Sequence, residues 1–432
     1  MQVSLPPARQ RDPFFRAAKS AYQACVHCGF CNATCPTYVL LGDERDGPRG
    51  RIYAMKEMLE SGAAPPTSLV PHLDRCLSCL ACRTTCPSGV DYARLIDLGR
   101  AQVAQDRRWS LKGLTRRVLA TVMTQPGLLR VAVILGKAVS GWPIPGSIGA
   151  AVRVARGANP ARGPVDGARV FPPLGPQRAR VALLAGCAQR AVAPEINDAT
   201  VRLLCRMGCE VVVLSEVRCC GSLDHHLGHT ARAEGFAVQA VSAWRAEHER
   251  QRLDFIVTNT SGCGAHLKDV GFHLQDHKDA ASSAAEMASI MHDVTEVVAA
   301  LGLPPAVPGL ALDVAYQSAC TLQHGQGIRD LPKELLTQAG FRVHGIKEDH
   351  LCCGSAGTYN IVQPALAGAL GERKAHNIGL VAPEIVATGN VGCMLQLRNF
   401  VDVPIVHTVE LLDWATGGPT PLALDAGYPR HP

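Results

Sequence analysis

The chain contains no uninterrupted apolar run of about 18 residues, the least that crosses a bilayer as a helix, so no membrane-spanning helix is expected. Its best apolar stretch, residues 127–142 (GLLRVAVILGKAVSGW), is broken by Arg130 and Lys137. It reads as a packed amphipathic helix, with a membrane-surface helix as the alternative. The opening residues, MQVSLPPARQRDPFFRAAK, lack the apolar core of a signal peptide, so no export is expected. No GxGxxG follows a candidate strand, which argues against a dinucleotide or flavin site on this chain. A large charge excess is missing as well: 43 Lys and Arg stand against 37 Asp and Glu, a net charge of +6. That reads as a solvated surface excess, with an anionic partner or membrane surface as the second choice, and nucleic acid is not expected as a partner.

What is abundant is cysteine. The 432 residues include 18 of them, and 47% are hydrophobic against 19% charged, a folded globular composition. Many cysteines without an export signal point to metal ligation in a reducing compartment, with a cytoplasmic location expected. The length is that of a multidomain chain. Residues 1–105 hold eight cysteines in two runs and form the first expected domain. Residues 106–176 read as a helical segment followed, from 142, by a linker rich in Pro and Gly. Residues 177–300 and 301–416 read as two copies of one unit, and 417–432 as a loose tail.

The first run is Cys25-Val-His-Cys28-Gly-Phe-Cys31-Asn-Ala-Thr-Cys35-Pro36, and the second is Cys76-Leu-Ser-Cys79-Leu-Ala-Cys82-Arg-Thr-Thr-Cys86-Pro87. Both fit the C-x2-C-x2-C-x3-C-P pattern of ferredoxin-type [4Fe–4S] binding, in which three thiolates wrap one cubane and the fourth ligates the other cluster. The expected sets are Cys25, Cys28, Cys31 and Cys86 for the first cluster, and Cys76, Cys79, Cys82 and Cys35 for the second. Structural zinc needs only four ligands, usually two CxxC pairs, and has no use for the third cysteine and the Cys-Pro. Nothing in the motif leaves an iron open to substrate, so the expected role is a wire. Between the runs, GDERDGPRGRIYAMKEMLESG reads as a turn set by Pro48 and an amphipathic helix ended by Gly62. Arg49 and Arg51 are candidates for stabilising reduced clusters by their charge, and equally for solvated residues at a helix start.

After the linker, Cys187, Cys219, Cys220 and Cys263 recur at matching spacing as Cys320, Cys352, Cys353 and Cys393. The CCGS at 219–222 returns at 352–355, and FIVTNTSGC at 255–263 parallels IVATGNVGC at 385–393. Each copy reads strand, cysteine loop, helix, strand, Cys-Cys-Gly, helix, strand, cysteine. The expected fold is therefore multidomain: an α-helical dicluster ferredoxin-like domain, then two repeated parallel α/β units. Cysteines placed just after strands sit where α/β folds gather functional groups, so each quartet is a candidate for a further cluster or metal. Cys205 and Cys209 read as core residues, and His225, His226 and His229 as a solvated loop, with metal ligands as the alternative.

The run CVHCGFCNATCPTYVLLGDERDGPRGRIY, then CLSCLACRTTCPSGVDY, then two CCG units, resembles the iron–sulfur subunit of bacterial glycolate oxidase over nearly the whole chain. The resemblance implies a complex with a flavin-bearing catalytic subunit and a second flavin-domain subunit. In such a complex glycolate is oxidised to glyoxylate at the flavin. Electrons leave through iron–sulfur clusters to the membrane quinone pool. Because no segment can span and the excess charge is positive, this chain is expected to attach peripherally at the inner face of the cytoplasmic membrane. Similar parts occur in the iron–sulfur subunit of anaerobic glycerol-3-phosphate dehydrogenase and in heterodisulfide reductase, where CCG cysteines bind catalytic non-cubane clusters. That last pattern ends each repeat in CxxC, whereas this chain has Cys263-Gly-Ala-His266 and Cys393-Met-Leu-Gln396, each one cysteine short. A third cubane on either quartet remains an option. His266 is a candidate for replacing the missing thiolate, or a helix-start histidine without a ligand role.

Overall fold

The computed structural model of the chain describes residues 1–4, 12–61 and 64–424. Gly62, the expected helix end, and residues 425–432 of the tail lie outside the described residues. The first helix, Pro13–Ala24, is opened by Asp12, whose carboxylate accepts from the Phe14 amide at 2.8 Å, and Pro13 takes the first position, where no amide bond is lost. Helices Pro48–Ser61 and Tyr92–Asp106 pack with it around buried Tyr22, Ile52, Met55, Leu59, Leu95 and Ile96. The two cysteine runs fill the links that follow Ala24 and Asp74.

Three further helices follow: Leu111–Thr124, Pro126–Ala138 and Gly146–Arg156. The first two meet at a bend of 102°, where Gln125 leads into Pro126. No single helix among the described residues is long and apolar enough to cross a membrane.

The first repeat carries a five-stranded sheet made of β1 (Arg169–Phe171), β2 (Ala179–Leu184), β3 (Cys209–Val213), β4 (Phe255–Thr258) and β5 (Met291–Asp293), in the order β1-β3-β2-β4-β5. All pairs are parallel except β1 with β3. The second repeat has β6 (Asp313–Tyr316), β7 (Arg342–Gly345), β8 (Ile385–Thr388) and β9 (Ile405–His407), ordered β7-β6-β8-β9 and parallel throughout. Strand β2 is buried along its whole length, which is why, after Arg180 with its partner Glu210 at 2.6 Å, it reads as a continuous apolar run rather than an alternation. In each sheet the chain leaves the central strand in one direction and returns on its other side. The crevice beyond the strand ends there is the place where such folds bind ligands.

The two repeats share one core. Helix Glu195–Arg206 packs on helix Thr408–Ala415, and buried Asp413 takes Arg202 at 2.7 Å and Arg206 at 3.0 Å across that seam.

Three expectations are corrected. Residues 142–176 are more than a linker, since they hold helix Gly146–Arg156 and edge strand β1. A three-residue strand is too short to show alternation, and the surrounding Pro and Gly mask the helix. Each α/β unit has a fourth strand, β5 or β9, that was not foreseen, again because three residues carry no period. The tail is not loose from residue 417, because Leu422–Leu424 forms a helical turn that buries Leu424 in the shared core.

Candidate functional site

In the first run, His27 and Gly29 have φ of 56° and 85°, and in the second, Ser78 and Leu80 have 51° and 61°. These are equivalent positions, and three of the four are not glycine. Left-handed backbone is costly for such residues and is held here by a loop that turns its cysteines inward. Cys25, Cys28 and Cys31 line one cavity, and Cys86 joins them from the other run. Cys76, Cys79 and Cys82 line a second, which Cys35 enters. Cys82 borders both cavities, so they are neighbours. None of the cysteines forms a disulfide. Four convergent thiols held by a wrapped loop fit the donor set and shape a cubane requires.

The polar groups around the second cavity are few and buried. Arg51 has 1% of its side chain exposed, which rules out the solvated reading for it. Its Nη1 lies 3.7 Å from Cys35 Sγ, while Nη2 donates to Thr37 at 3.0 Å and Nε to the His72 carbonyl at 2.8 Å. Asp46 balances the charge behind it, with His72 at 3.0 Å and Arg75 at 2.8 Å. Burial opposes ionisation of Cys76, yet Arg51 and Arg100 overcome it and hold this thiol below its ordinary value. Arg49 is half-exposed and pairs with Glu44 at 2.6 Å, and its guanidinium covers Gly29 in the first loop.

The CCG cysteines gather at the strand ends. In the first repeat Cys219 lies 3.5 Å from Cys187, and Cys220 lies 3.1 Å from Cys263 (Sγ to Sγ). In the second, Cys320 and Cys352 are 3.8 Å apart, and Cys353 and Cys393 are 3.3 Å apart. The glycine of each CCG is required. Gly221 and Gly354 have φ of 86° and 89°, and a Cβ at either would meet a backbone carbonyl oxygen, that of Ala233 in helix Thr230–Arg250 or of Ala367 in helix Pro364–Gly379, at 2.6 Å.

Both quartets face one cavity of about 410 Å³. The two repeats meet beside it, where Asn390 donates to the Ser261 hydroxyl at 2.6 Å. Apolar side chains of the three middle helices form the opposite wall, among them Leu119, Val122, Leu129, Val133 and Val152. The second quartet adjoins the ferredoxin-type loops: Cys79 and Cys352 pack in one buried cluster with Leu77, Ala81, Tyr359 and Leu370. Burial, and then the neighbouring Cys320, push the Cys79 thiol up. Lys374 is buried behind this quartet alone, and the Cys353 thiol is held low by hydrogen bonds from Cys352 and Cys393.

His266 and Gln396, which stand where a second cysteine would complete CxxC, do not join the thiols. Gln396 is buried, accepts from Asn360 at 3.1 Å and donates to Ala367 at 3.0 Å. His266 faces a different cavity, with His225 and His273. The solvated-loop expectation fails for His225 and His229. His225 pairs with Asp97 at 2.9 Å and His229 with Asp224 at 3.0 Å, each with 12% of its side chain exposed. For His225 the sequence offered no sign of this, because Asp97 comes from the distant helix Tyr92–Asp106. Cys205 and Cys209 are buried core residues.

Paired cysteine loops beside two thiol quartets define an iron–sulfur protein of the dicluster and cysteine-rich class. Residues 21–90 match the 4Fe-4S dicluster domain, and 181–268 and 314–398 match the cysteine-rich CCG domain. The glycolate oxidase iron-sulfur subunit of Escherichia coli strain K12 is 36% identical over 96% of this chain and 99% of its own length. A probable glycolate oxidase iron-sulfur subunit of Bacillus subtilis strain 168 is 29% identical over 92% of this chain and 94% of its own. Lactate utilization protein A of Oceanobacillus iheyensis is 25% identical over 54% of this chain and 96% of its own. The chain belongs to the family of glycolate oxidase iron–sulfur subunits, and so to the electron-transferring components of oxidoreductase complexes.

Proposed function

We propose that this chain carries electrons within a glycolate-oxidising complex, from a flavin on a partner subunit to the membrane quinone pool. Glycolate gives up two electrons and two protons to become glyoxylate, and quinone takes up two of each to become quinol. A flavin-bearing catalytic subunit and a second flavin-domain subunit are the partners, and this chain holds no flavin itself. Cys25, Cys28, Cys31 and Cys86 hold one [4Fe–4S] cluster, and Cys76, Cys79, Cys82 and Cys35 hold the other. The clusters, when bound, supply one-electron carriers. The observation that carries the reading is the exchange of Cys35 and Cys86 between adjoining cavities.

Each CCG quartet has the four thiols a further cluster needs, and the second is the stronger candidate because it adjoins Cys79 and has Lys374 behind it. The apolar wall opposite the thiols suits an acceptor with an apolar ring and tail.

The chain works peripherally, at the inner face of the cytoplasmic membrane. Residues 107–165 contain no Asp or Glu, while Arg108, Lys112, Lys137, Arg153 and Arg156 are exposed. Helix Pro126–Ala138 buries only Leu129 and Val133 among its large apolar side chains and leaves Leu128, Val131, Ile134 and Leu135 outside, so the packed-helix expectation holds for one face only. Trp109 and Trp142, 82% and 73% exposed, flank that region in sequence. A basic, acid-free surface with apolar side chains and tryptophans fits the headgroup layer of an anionic membrane.

The test is to co-express the chain with its flavin subunits and purify the complex without oxygen. Glycolate-dependent quinone reduction and about eight or more irons per chain are expected. A chain that takes up zinc and no iron, or flavin subunits that reduce quinone equally well without it, would contradict the reading.

A further inference from the structure

Three histidines meet behind the first CCG quartet. His225 sits in helix Ser222–His226, which follows Cys219 and Cys220; His266 sits in helix Ser261–Lys268, which carries Cys263; and His273 ends helix Val270–His273. Each can aim one ring nitrogen so that all three lie within 4.8 Å of one another. The ring centroids are 5.0 Å apart for His225 and His266, 4.5 Å for His225 and His273, and 4.6 Å for His266 and His273.

Two observations argue that this is more than ring packing. His266 is 6% exposed, and its Nε2 has no hydrogen-bond partner, a cost of about 1–3 kcal/mol for a buried polar atom. Asp97, from the ferredoxin-type domain, brings a carboxylate to His225 at 2.9 Å, in the arrangement that orients a metal-bound imidazole. The other charges nearby are balanced. Arg94 is paired with Asp269 at 2.5 Å and stacks over Phe272, and Asp269 also reaches His273 at 3.5 Å. His226 stands 4.0 Å from Asp97. Burial keeps His266 and His273 neutral, the form in which imidazole binds metal. The position equivalent to His266 in the second repeat is Gln396, whose amide accepts from Asn360 and donates to Ala367, so the second repeat has no imidazole there.

We propose that His225, His266 and His273 bind one divalent transition-metal ion, zinc being the probe, with Asp97 orienting His225. The ion joins helix Ser222–His226, which follows Cys219 and Cys220, to helix Ser261–Lys268, which carries Cys263, and His225 links it through Asp97 to helix Tyr92–Asp106 of the ferredoxin-type domain. A fourth coordination position faces a cavity of about 360 Å³ walled in part by Phe14, Glu234 and Phe272. This is a nitrogen site, chemically unlike every thiol site on the chain, and it does not depend on the cluster assignment.

The experiment uses the full chain, purified without oxygen with its iron in place, loaded with zinc and dialysed. One zinc per chain is expected, with nitrogen or oxygen neighbours at about 2.0–2.1 Å and no sulfur at about 2.3 Å by zinc-edge X-ray absorption. His266→Gln and His273→Gln should each lose it with iron content unchanged. Another divalent transition ion with the same nitrogen shell supports the site equally. Sulfur neighbours, zinc unchanged in the His266→Gln/His273→Gln double variant, or no zinc retained would overturn it. If those variants lose iron as well, Asp97→Asn decides. It leaves all three imidazoles in place and should weaken zinc binding about 10- to 100-fold, and unchanged binding would overturn the proposal.

Discussion

The Arg51 guanidinium lies 3.7 Å from the Cys35 thiol, and both side chains are buried. A cation this close to a cluster ligand favours the reduced, more negative state. Arg51→Gln should therefore lower the reduction potential of the cluster assigned to Cys76, Cys79, Cys82 and Cys35. At intermediate dielectric a lost unit charge several ångströms away corresponds to on the order of 100 mV. Arg51→Lys, which keeps the charge, should retain most of the wild-type value. Potentiometric titration followed by electron paramagnetic resonance reads both, and equal potentials for Gln and wild type would refute the electrostatic role.

The exchange of Cys35 and Cys86 has its own test. In a background lacking Cys28 and Cys31, Cys35→Ser should alter the surviving resonance. In a background lacking Cys79 and Cys82, it should leave the surviving resonance near normal. The reverse pattern would mean that each run holds its own cluster.

How much of this was legible beforehand depends on whether the signal was local. The two cysteine runs are contiguous motifs, and both their spacing and the proline after each fourth cysteine were readable. The repeat was legible because Cys187, Cys219, Cys220 and Cys263 have counterparts with matching neighbours, and β2, β3 and β4, of four to six residues, are each built on a short apolar run. Strands β1, β5 and β9, of three residues each, carry no period and were missed. The burial of Arg51 and the meeting of Asp97 with His225 depend on residues far apart in the chain. The common cavity was equally hidden, since its lining comes from both thiol quartets and the three middle helices, which are far apart in the chain.

Membrane attachment should depend on the exposed side of helix Pro126–Ala138. The double change Val131→Glu/Leu135→Glu removes two apolar side chains, each worth about 1.5–3 kcal/mol when buried, and adds negative charge. Sedimentation with anionic vesicles should fall at least tenfold while iron content stays constant. Unchanged sedimentation would move the contact elsewhere.

Glu410 gives a pH dependence. Its carboxylate caps helix Thr408–Ala415 by accepting from the His407 amide at 3.0 Å. Burial, and then Glu195, push its pKa up to about 7. The folded state therefore binds this proton more tightly than the unfolded chain. The resulting stability is complete below the unfolded value near pH 4.5 and is lost as pH rises through about 7, by on the order of 3 kcal/mol. Glu410→Gln should flatten the fall in melting temperature between pH 5 and pH 8. Parallel profiles for variant and wild type would show that the carboxyl does not titrate in that range.

The most direct test of the account asks whether the second CCG quartet stands between the ferredoxin-type runs and quinone. The measurement is made on the anaerobic complex with its flavin subunits, comparing wild type, Cys352→Ser and Cys205→Ser. Cys352 faces the common cavity and packs with Cys79, whereas Cys205 is a core thiol outside both quartets. With Cys352→Ser, glycolate should still reduce the flavin and the two ferredoxin-type clusters, while quinone reduction falls to background. Cys205→Ser should behave as wild type. Wild-type quinone reduction in Cys352→Ser would contradict the account and leave the second CCG quartet a structural feature of the fold.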